Sequence, residues 1–259
     1  MALGGAGAAR YGWRTRRRNR EGTAVSEHEV NELGQPVGLP VPGWTPPPRP
    51  DGRALAGRFC RLERLDPERR GAQLFAADRL DETGASWTYL PYGPFGTPGA
   101  YRAWLEGMAP LADPFFYAVV EAESGAAVGV ASYLRVNPEA GSIEVGHIHY
   151  SPRLQRTPAA TEAMALMMAH VFDDLGYRRY EWKCNALNAA SRRAAERLGF
   201  SFEGVFRQHG VYKGRNRDTA WFSILDHEWP AMKAAFSQWL APENFDEAGR
   251  QRRALSDCR

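Results

Sequence analysis

The sequence predicts a mixed α/β fold: a central, mostly antiparallel sheet with one parallel strand pair and helices on its flanks. Three observations carry this expectation. Two apolar runs, "FFYAVVEA" and "AAVGVASYLRV", are separated only by Glu123-Ser124-Gly125, which is the spacing of a β-hairpin. A strand, a helix and a second strand follow one another between Ile143 and Cys184, which gives two neighbouring parallel strands joined by a right-handed crossover. In "YRRYEWKCN", Tyr180, Trp182 and Cys184 alternate with Arg179, Glu181 and Lys183, the period of a strand with one buried face.

The elements can be justified in chain order. Met1–Arg20 carries six arginines and no acid, with little apolar periodicity. Residues 1–33 are therefore expected to be disordered, although a mitochondrial presequence or a nucleic-acid-binding arm has the same composition. Residues 34–56 are proline-dense and form an extended arm, either a linker or a strap with Trp44 as its anchor. A strand spans Gly57–Leu65. The helix after it has Asp66 as N-cap and Pro67 in its first position.

An aromatic, turn-rich stretch leads to a short helix around Tyr101–Met108, then to the hairpin. "GSIEVGHIHYS" is a further strand, with Gly146 as a bulge. Met164, Met168, Val171 and Leu175 fall at helical spacing, and Gly176 closes that helix. A helix capped by Asn188 and stopped by Gly199 follows, then strands around Phe202–His209 and Asp218–Leu225, then a last amphipathic helix. The main domain is 57–241. The charged tail 242–259 is expected to be loosely held.

Composition narrows the function classes. With 259 residues and 44% hydrophobic content the chain can bury a sizeable core, and its net charge of +3 demands no nucleic-acid partner. Three scattered cysteines fit a reducing, cytoplasmic setting better than a disulfide framework. No apolar run approaches the roughly 20 residues that a membrane span needs.

The stretch "SPRLQRTPAATEA" raises the sharpest question. Arg153, Gln155 and Arg156 stand directly before a helix that opens Thr157-Pro158. A helix N-terminus offers unpaired N–H groups and partial positive charge, and the arginines add donors suited to phosphate oxygens. Ala159, Ala160 and Ala163 allow close approach to the backbone. A solvated basic turn leading into a core helix would look the same.

Residues from about Gly57 to Leu240 resemble the GNAT superfamily of N-acetyltransferases, in particular its ribosomal-protein-alanine acetyltransferase branch. The resemblance lies in "IEVGHIHYSPRLQRTPAATEA", in "NALNAASRRAAERLGF" and in the final pair of strands. It implies acetyl-CoA as cosubstrate. The family's pyrophosphate loop, Q/R-x-x-G-x-G/A, would run from Gln155 to Ala160, so Arg153, Gln155, Arg156, Thr157, Ala159 and Ala160 would hold the cofactor. Pro158 departs from the pattern by standing where the family has glycine, which removes one N–H donor from the phosphate contacts.

The same resemblance places Asn188 on the pantetheine arm and Ser191 where the departing thiolate takes up a proton, although helix capping alone also accounts for Asn188. Glu144, in "Glu144-Val-Gly146", is the candidate base, since an amine must shed a proton before it attacks a thioester. It can equally be a structural carboxylate. The backbone of His147–His149 would line the opening beside it. His147-x-His149 also has a metal-ligand spacing, but no third ligand is fixed and no metal is expected. These histidines are alternative polar groups or bases on the substrate side. The basic turn "YKGRNRD" reads as a solvated hairpin rather than a recognition element.

The expected activity is acetyl transfer from acetyl-CoA to a primary amine, either a protein N-terminus or a small amine, by a monomer or homodimer. The rival expectation is a catalytically silent module of the same fold that binds an acyl-CoA or a protein.

Overall fold

A computed structural model describes residues 28–259 and divides the chain into two units, Met1–Thr45 and Pro46–Arg259. The Arg-rich stretch Met1–Arg20 lies outside the described residues. In the first unit, β1 (Glu29–Val30) and β2 (Pro36–Val37) form a short antiparallel ribbon. Its turn is held by Asn31, whose side-chain oxygen accepts from the N–H groups of Leu33 and Gln35.

The second unit is built on an eight-stranded sheet. Its strands are β3 (Leu55–Ala56), β4 (Cys60–Arg64), β5 (Phe115–Glu121), β6 (Ala127–Asn137), β7 (Ser142–Tyr150), β8 (Arg179–Asn185), β9 (Ser201–Tyr212) and β10 (Arg215–Leu225). They lie in the order β3-β4-β5-β6-β7-β8-β10-β9. Every pairing is antiparallel except β7 with β8, as the strand–helix–strand unit predicts. Five α-helices flank the sheet: α1 (Pro67–Asp78), α2 (Pro98–Met108), α3 (Pro158–Ala169), α4 (Ala189–Arg197) and α5 (Trp229–Leu240).

The central strands are buried on both faces, and alternate residues supply two cores. Phe116, Ala118 and Val120 of β5 pack with Leu74 of α1 and Tyr101 and Leu105 of α2. Tyr117 and Val119 point the other way, into the core shared with Met164 and Met168 of α3 and Phe236 of α5. The expected caps form. The Asp66 carboxylate accepts from the N–H groups of Glu68 and Arg69, and the Asn188 side chain accepts from Ser191 N–H.

Several expectations are corrected. Gly146 pairs regularly with Ser132, and the extra residue of β7 falls at His147–Ile148, with His147 at φ +49°. The helix after β7 widens into a π-helical turn over His170–Asp174 instead of remaining regular to Leu175. The last two strands are longer than their apolar cores suggest. Lys213 and Gly214 both have positive φ and make a two-residue turn that keeps the hairpin paired to its tip.

The tail beyond Pro242 is not loosely held. Asn244 is buried, its amide donates to Trp239 and Arg253 carbonyls, and Phe245 packs edge-on against Phe59 and Trp239. At the other end of the unit, Arg49 donates to the Val136 carbonyl and Arg53 pairs with Asp174, which ties the last residues of the proline-rich stretch to the sheet.

Candidate active site

The site begins where β7 and β8 part. Their parallel pairing runs from Ser142 opposite Arg179 to Val145 opposite Trp182. Beyond that point β7 pairs only with β6, and β8 only with β10. The bulge at His147 accompanies this separation, and β6 carries a matching irregularity at Arg135, also left-handed at φ +47°. The separated strands leave a cavity of about 1050 Å³.

On one side of the sheet the cavity runs between the beginnings of α3 and α4. The loop into α3 is tightly wound: Leu154 and Gln155 N–H groups both donate to the Ser151 carbonyl, and Thr157 N–H donates to the Leu154 carbonyl. Leu154 is fully buried and anchors the loop over Gly129, where a Cβ would come within 2.8 Å of the Leu154 side chain. Thr157 is the N-cap of α3, and its hydroxyl accepts from Ala160 N–H. Pro158 occupies the first helical position, where no intrahelical hydrogen bond is lost. The Ala159 N–H, next in the turn, has no intrahelical acceptor by virtue of its position.

The expected cofactor residues divide into two groups. Gln155, Arg156, Thr157, Ala160 and Asn188 line the cavity, with Arg156 held in the left-handed region at φ +62°. The side chain of Arg153 does not line it; its guanidinium pairs with Glu121 at 2.5 Å. The side chain of Ala159 lies in the core, and its carbonyl accepts from Cys60 Sγ.

Asn188 uses its side-chain oxygen as a cap, and its amide N–H groups donate to no group among the described residues. Ser191 accepts from Trp182 Nε1 at 3.0 Å, and its own hydroxyl hydrogen has the Cys184 sulfur within reach. The Ser191 hydroxyl also opposes the burial that pushes the Cys184 thiol upward. Tyr150 OH and Ser151 Oγ are buried without hydrogen-bond partners at the same loop.

The other side of the cavity holds Glu144, 2% exposed. Burial pushes its carboxyl above the usual range, while Lys183 and Arg135 oppose this. Arg135 Nη1 donates to both carboxylate oxygens at 2.8 and 2.9 Å, and Lys183 Nζ lies 2.8 Å from Oε2. Three of the roughly four acceptor positions of a carboxylate are thereby used, which leaves one for a further donor. Lys183 also pairs with Glu181 and lies 3.7 Å over the Trp221 ring. Glu144 is the single acid among the described lining residues, against cations at Arg135, Arg156, Lys183, Arg193, Arg197, Arg217 and Arg250. This balance attracts polyanions, and it lowers the proton affinity of an amine held there.

The two histidines of "GHIHY" have separate partners. His147 stacks on Tyr92 with its Nδ1 2.7 Å from the Tyr92 hydroxyl, and His149 stacks on Trp87 with its Nε2 2.9 Å from Ser86 Oγ. Burial pulls both imidazoles down to about 4, so both are neutral near pH 7. Sequence reasoning missed Arg135, Lys183 and Arg217, although the aromatics of Tyr212–Trp221 were expected to flank the acceptor channel. Tyr212 and Arg217 belong to the turn read as a solvated hairpin. Its density of cations beside aromatics was the available signal, and the long β9–β10 ladder is what carries it to the cleft.

Comparison with known proteins follows the same lines. The acetyltransferase (GNAT) domain family model matches residues 62–201. A crystal structure of a GCN5-related N-acetyltransferase from Brucella melitensis shares 50% identity with a TM-score of 0.82, covering 84% of this chain and 98% of that one. A GNAT-family protein from Chromobacterium violaceum is 42% identical with a TM-score of 0.71, over 76% and 98% of the two chains. Among curated proteins, the uncharacterized N-acetyltransferase p20 of Bacillus licheniformis is 26% identical over 117 residues, and the match spans 44% of this chain and 63% of that protein. A Salmonella typhimurium acetyl transferase, described as modifying the N-terminal serine of ribosomal protein L7/L12, is 18% identical over 67% and 99% of the two chains. With a TM-score of 0.58 it shares the fold alone.

Proposed function

Because this chain belongs to the acetyltransferase (GNAT) domain family, we propose that its cleft passes an acetyl group from acetyl-CoA directly to a primary amine. The observation that carries the reading is the parting of β7 and β8 beyond Val145 and Trp182, beside a cation-rich cavity into which α3 and α4 both begin. Arg156, Gln155 and the first turn of α3 would hold the pyrophosphate, and the free amide of Asn188 the pantetheine. Acetyl-CoA supplies an acetyl group activated as a thioester.

The chain's own residues then have three tasks. The backbone left unpaired around His147 donates to oxygen as charge develops there. Glu144, with one acceptor position remaining, receives the amine, while Arg135 and Lys183 raise the cost of its positive charge. The Ser191 hydroxyl stands at the sulfur end. As the N–C bond forms and the C–S bond breaks, one proton leaves nitrogen and one reaches sulfur. Ser191 would deliver the latter and recover it from water. Pro158 costs the helix no hydrogen bond, so the turn keeps its shape although one N–H donor is missing from the phosphate contacts.

Calorimetric titration with acetyl-CoA tests this, with Arg156→Glu beside the wild type. Micromolar binding weakened about tenfold or more by the charge reversal is expected. Thiol release on adding an amine should accompany it. Absence of binding by the wild type would sink the reading.

A further inference from the structure

The acceptor side of the cleft is bridged and cationic, which bears on what acceptor it takes; the inference rests on the acetyl-transfer reading above. Two contacts make the bridge. Lys213 Nζ, at the tip of the β9–β10 hairpin, donates to the Trp87 carbonyl at 2.8 Å. The Tyr89 hydroxyl donates to the Leu187 carbonyl, on the loop between β8 and α4, at 3.3 Å. The segment around Trp87–Tyr89 thus spans from β7, against which it packs, to the far side of the opening. Such a span obstructs a folded protein surface far more than a small molecule.

The charges beside this bridge are unevenly partnered. Arg135 and Lys183 share Glu144. Arg217 lines the cavity, packs its guanidinium 4.3 Å over the Tyr212 ring, and has no carboxylate within ion-pairing distance among the described residues. Its Nε is buried without a hydrogen-bond partner. A guanidinium in this state is matched in shape and charge to a carboxylate, which it can take through two parallel hydrogen bonds.

His147 adds a second donor. Burial keeps the Tyr92 phenol protonated, so it has a hydrogen to place, and His147 Nδ1 at 2.7 Å is its partner. When the phenol donates, the imidazole hydrogen resides on Nε2, and His147, which lines the cavity, offers a neutral donor. The acceptor half thus holds one carboxylate at Glu144, the Arg217 guanidinium with no carboxylate partner among the described residues, and the His147 imidazole.

We propose that the acceptor is a small primary amine that also bears a carboxylate, with the carboxylate on Arg217 and His147 Nε2 and the amine against Glu144. A protein N-terminus lacks the nearby carboxylate and is disfavoured by the bridge.

The test uses the full chain and matched acceptors: a panel of L-amino acids, each beside its own carboxamide and beside a tripeptide with the same first residue. Thiol release should show kcat/KM about tenfold or more higher for the acids than for their amides. In Arg217→Gln the ratio should fall to near one, through a rise in KM for the acids that the amides do not share. Arg217→Lys, which keeps the charge but loses the two-pronged geometry, should be intermediate. Melting curves confirm that both variants fold. Calorimetric titration of the best acid and its amide into the CoA-saturated chain reads the same preference without turnover.

Equal use of amides or tripeptides, failure to acetylate any acid by a chain that binds acetyl-CoA, or an acid preference that survives Arg217→Gln overturns the proposal. Failure of the acetyl-transfer reading is distinct: acetyl-CoA itself then does not bind.

Discussion

At the scale of single residues, the acidic and neutral groups of the cleft make different demands on pH. Glu144 is held by two cations, so it can act on an amine only through its remaining acceptor position. Glu144→Gln should lower kcat by about a hundredfold near neutrality. If the carboxylate receives the amine's proton, the deficit shrinks as the pH rises and the ammonium loses its proton unaided; a deficit that is constant with pH assigns Glu144 to positioning alone. His149 has a different consequence. Its folded value of about 4 lies below the ordinary 6.5, so on acidification the unfolded chain takes up this proton first. Stability is therefore complete above pH 6.5, declines as the pH falls from 6.5 to 4, and suffers no further loss from this group below that. The decline amounts to about 3 kcal/mol, and His149→Gln should flatten this part of a Tm-against-pH curve. Among these residues, Asn188 and the Gln155–Ala160 loop were legible in the sequence because capping and loop chemistry are local. The pairing of Glu144 with Lys183 was not, because it joins strands almost forty positions apart.

At the scale of elements, α3 is secured from below. The Glu162 carboxylate, 4% exposed, accepts from the N–H groups of Arg58, Phe59 and Cys60 at 2.6–2.8 Å, which fastens the start of β4 to the helix whose first turn is proposed to hold the pyrophosphate. Glu162→Ala removes the acceptor of one buried and two part-buried N–H groups and should cost about 3 kcal/mol, a fall in Tm on the order of 6–12 °C. Gly57 lies under the same carboxylate, where a Cβ would approach within 2.3 Å. Gly57→Ala should therefore lower Tm as well, and an unchanged melting point would show that the helix shifts freely. The helices were readable because their caps and periods lie within a few residues. The edge strand Leu55–Ala56 was not, because it adds only two residues to the sheet and lies in a segment whose prolines dominate its pattern.

At the scale of the whole molecule, the C-terminal segment contributes to the cavity as well as to the core. Phe245, Gly249, Arg250 and Gln251 line the cavity, and Trp239 Nε1 donates to Gln251 at 3.1 Å. Removal of residues 243–259 should weaken acetyl-CoA binding severalfold beyond any fall in Tm, as titration of the truncated and full chains would show. The fold class and the single parallel pair were accessible from strand order, but closure of the cleft was not. That closure depends on which loops meet across 98 and 126 positions of chain, and no local pattern encodes such meetings. One further property follows from the backbone. Arg135, His147 and Arg156 all occupy left-handed conformations, which cost an ordinary residue about 1 kcal/mol or more each, and all three face the cavity. Arg135 and His147 also hold Glu144 and Tyr92, so laboratory evolution toward heat resistance alone should turn to glycine or asparagine first at Arg156. Its survivors would outlast the parent at high temperature with an empty, inactive cleft, which makes the chain's catalytic heritage the first thing that such a selection erases.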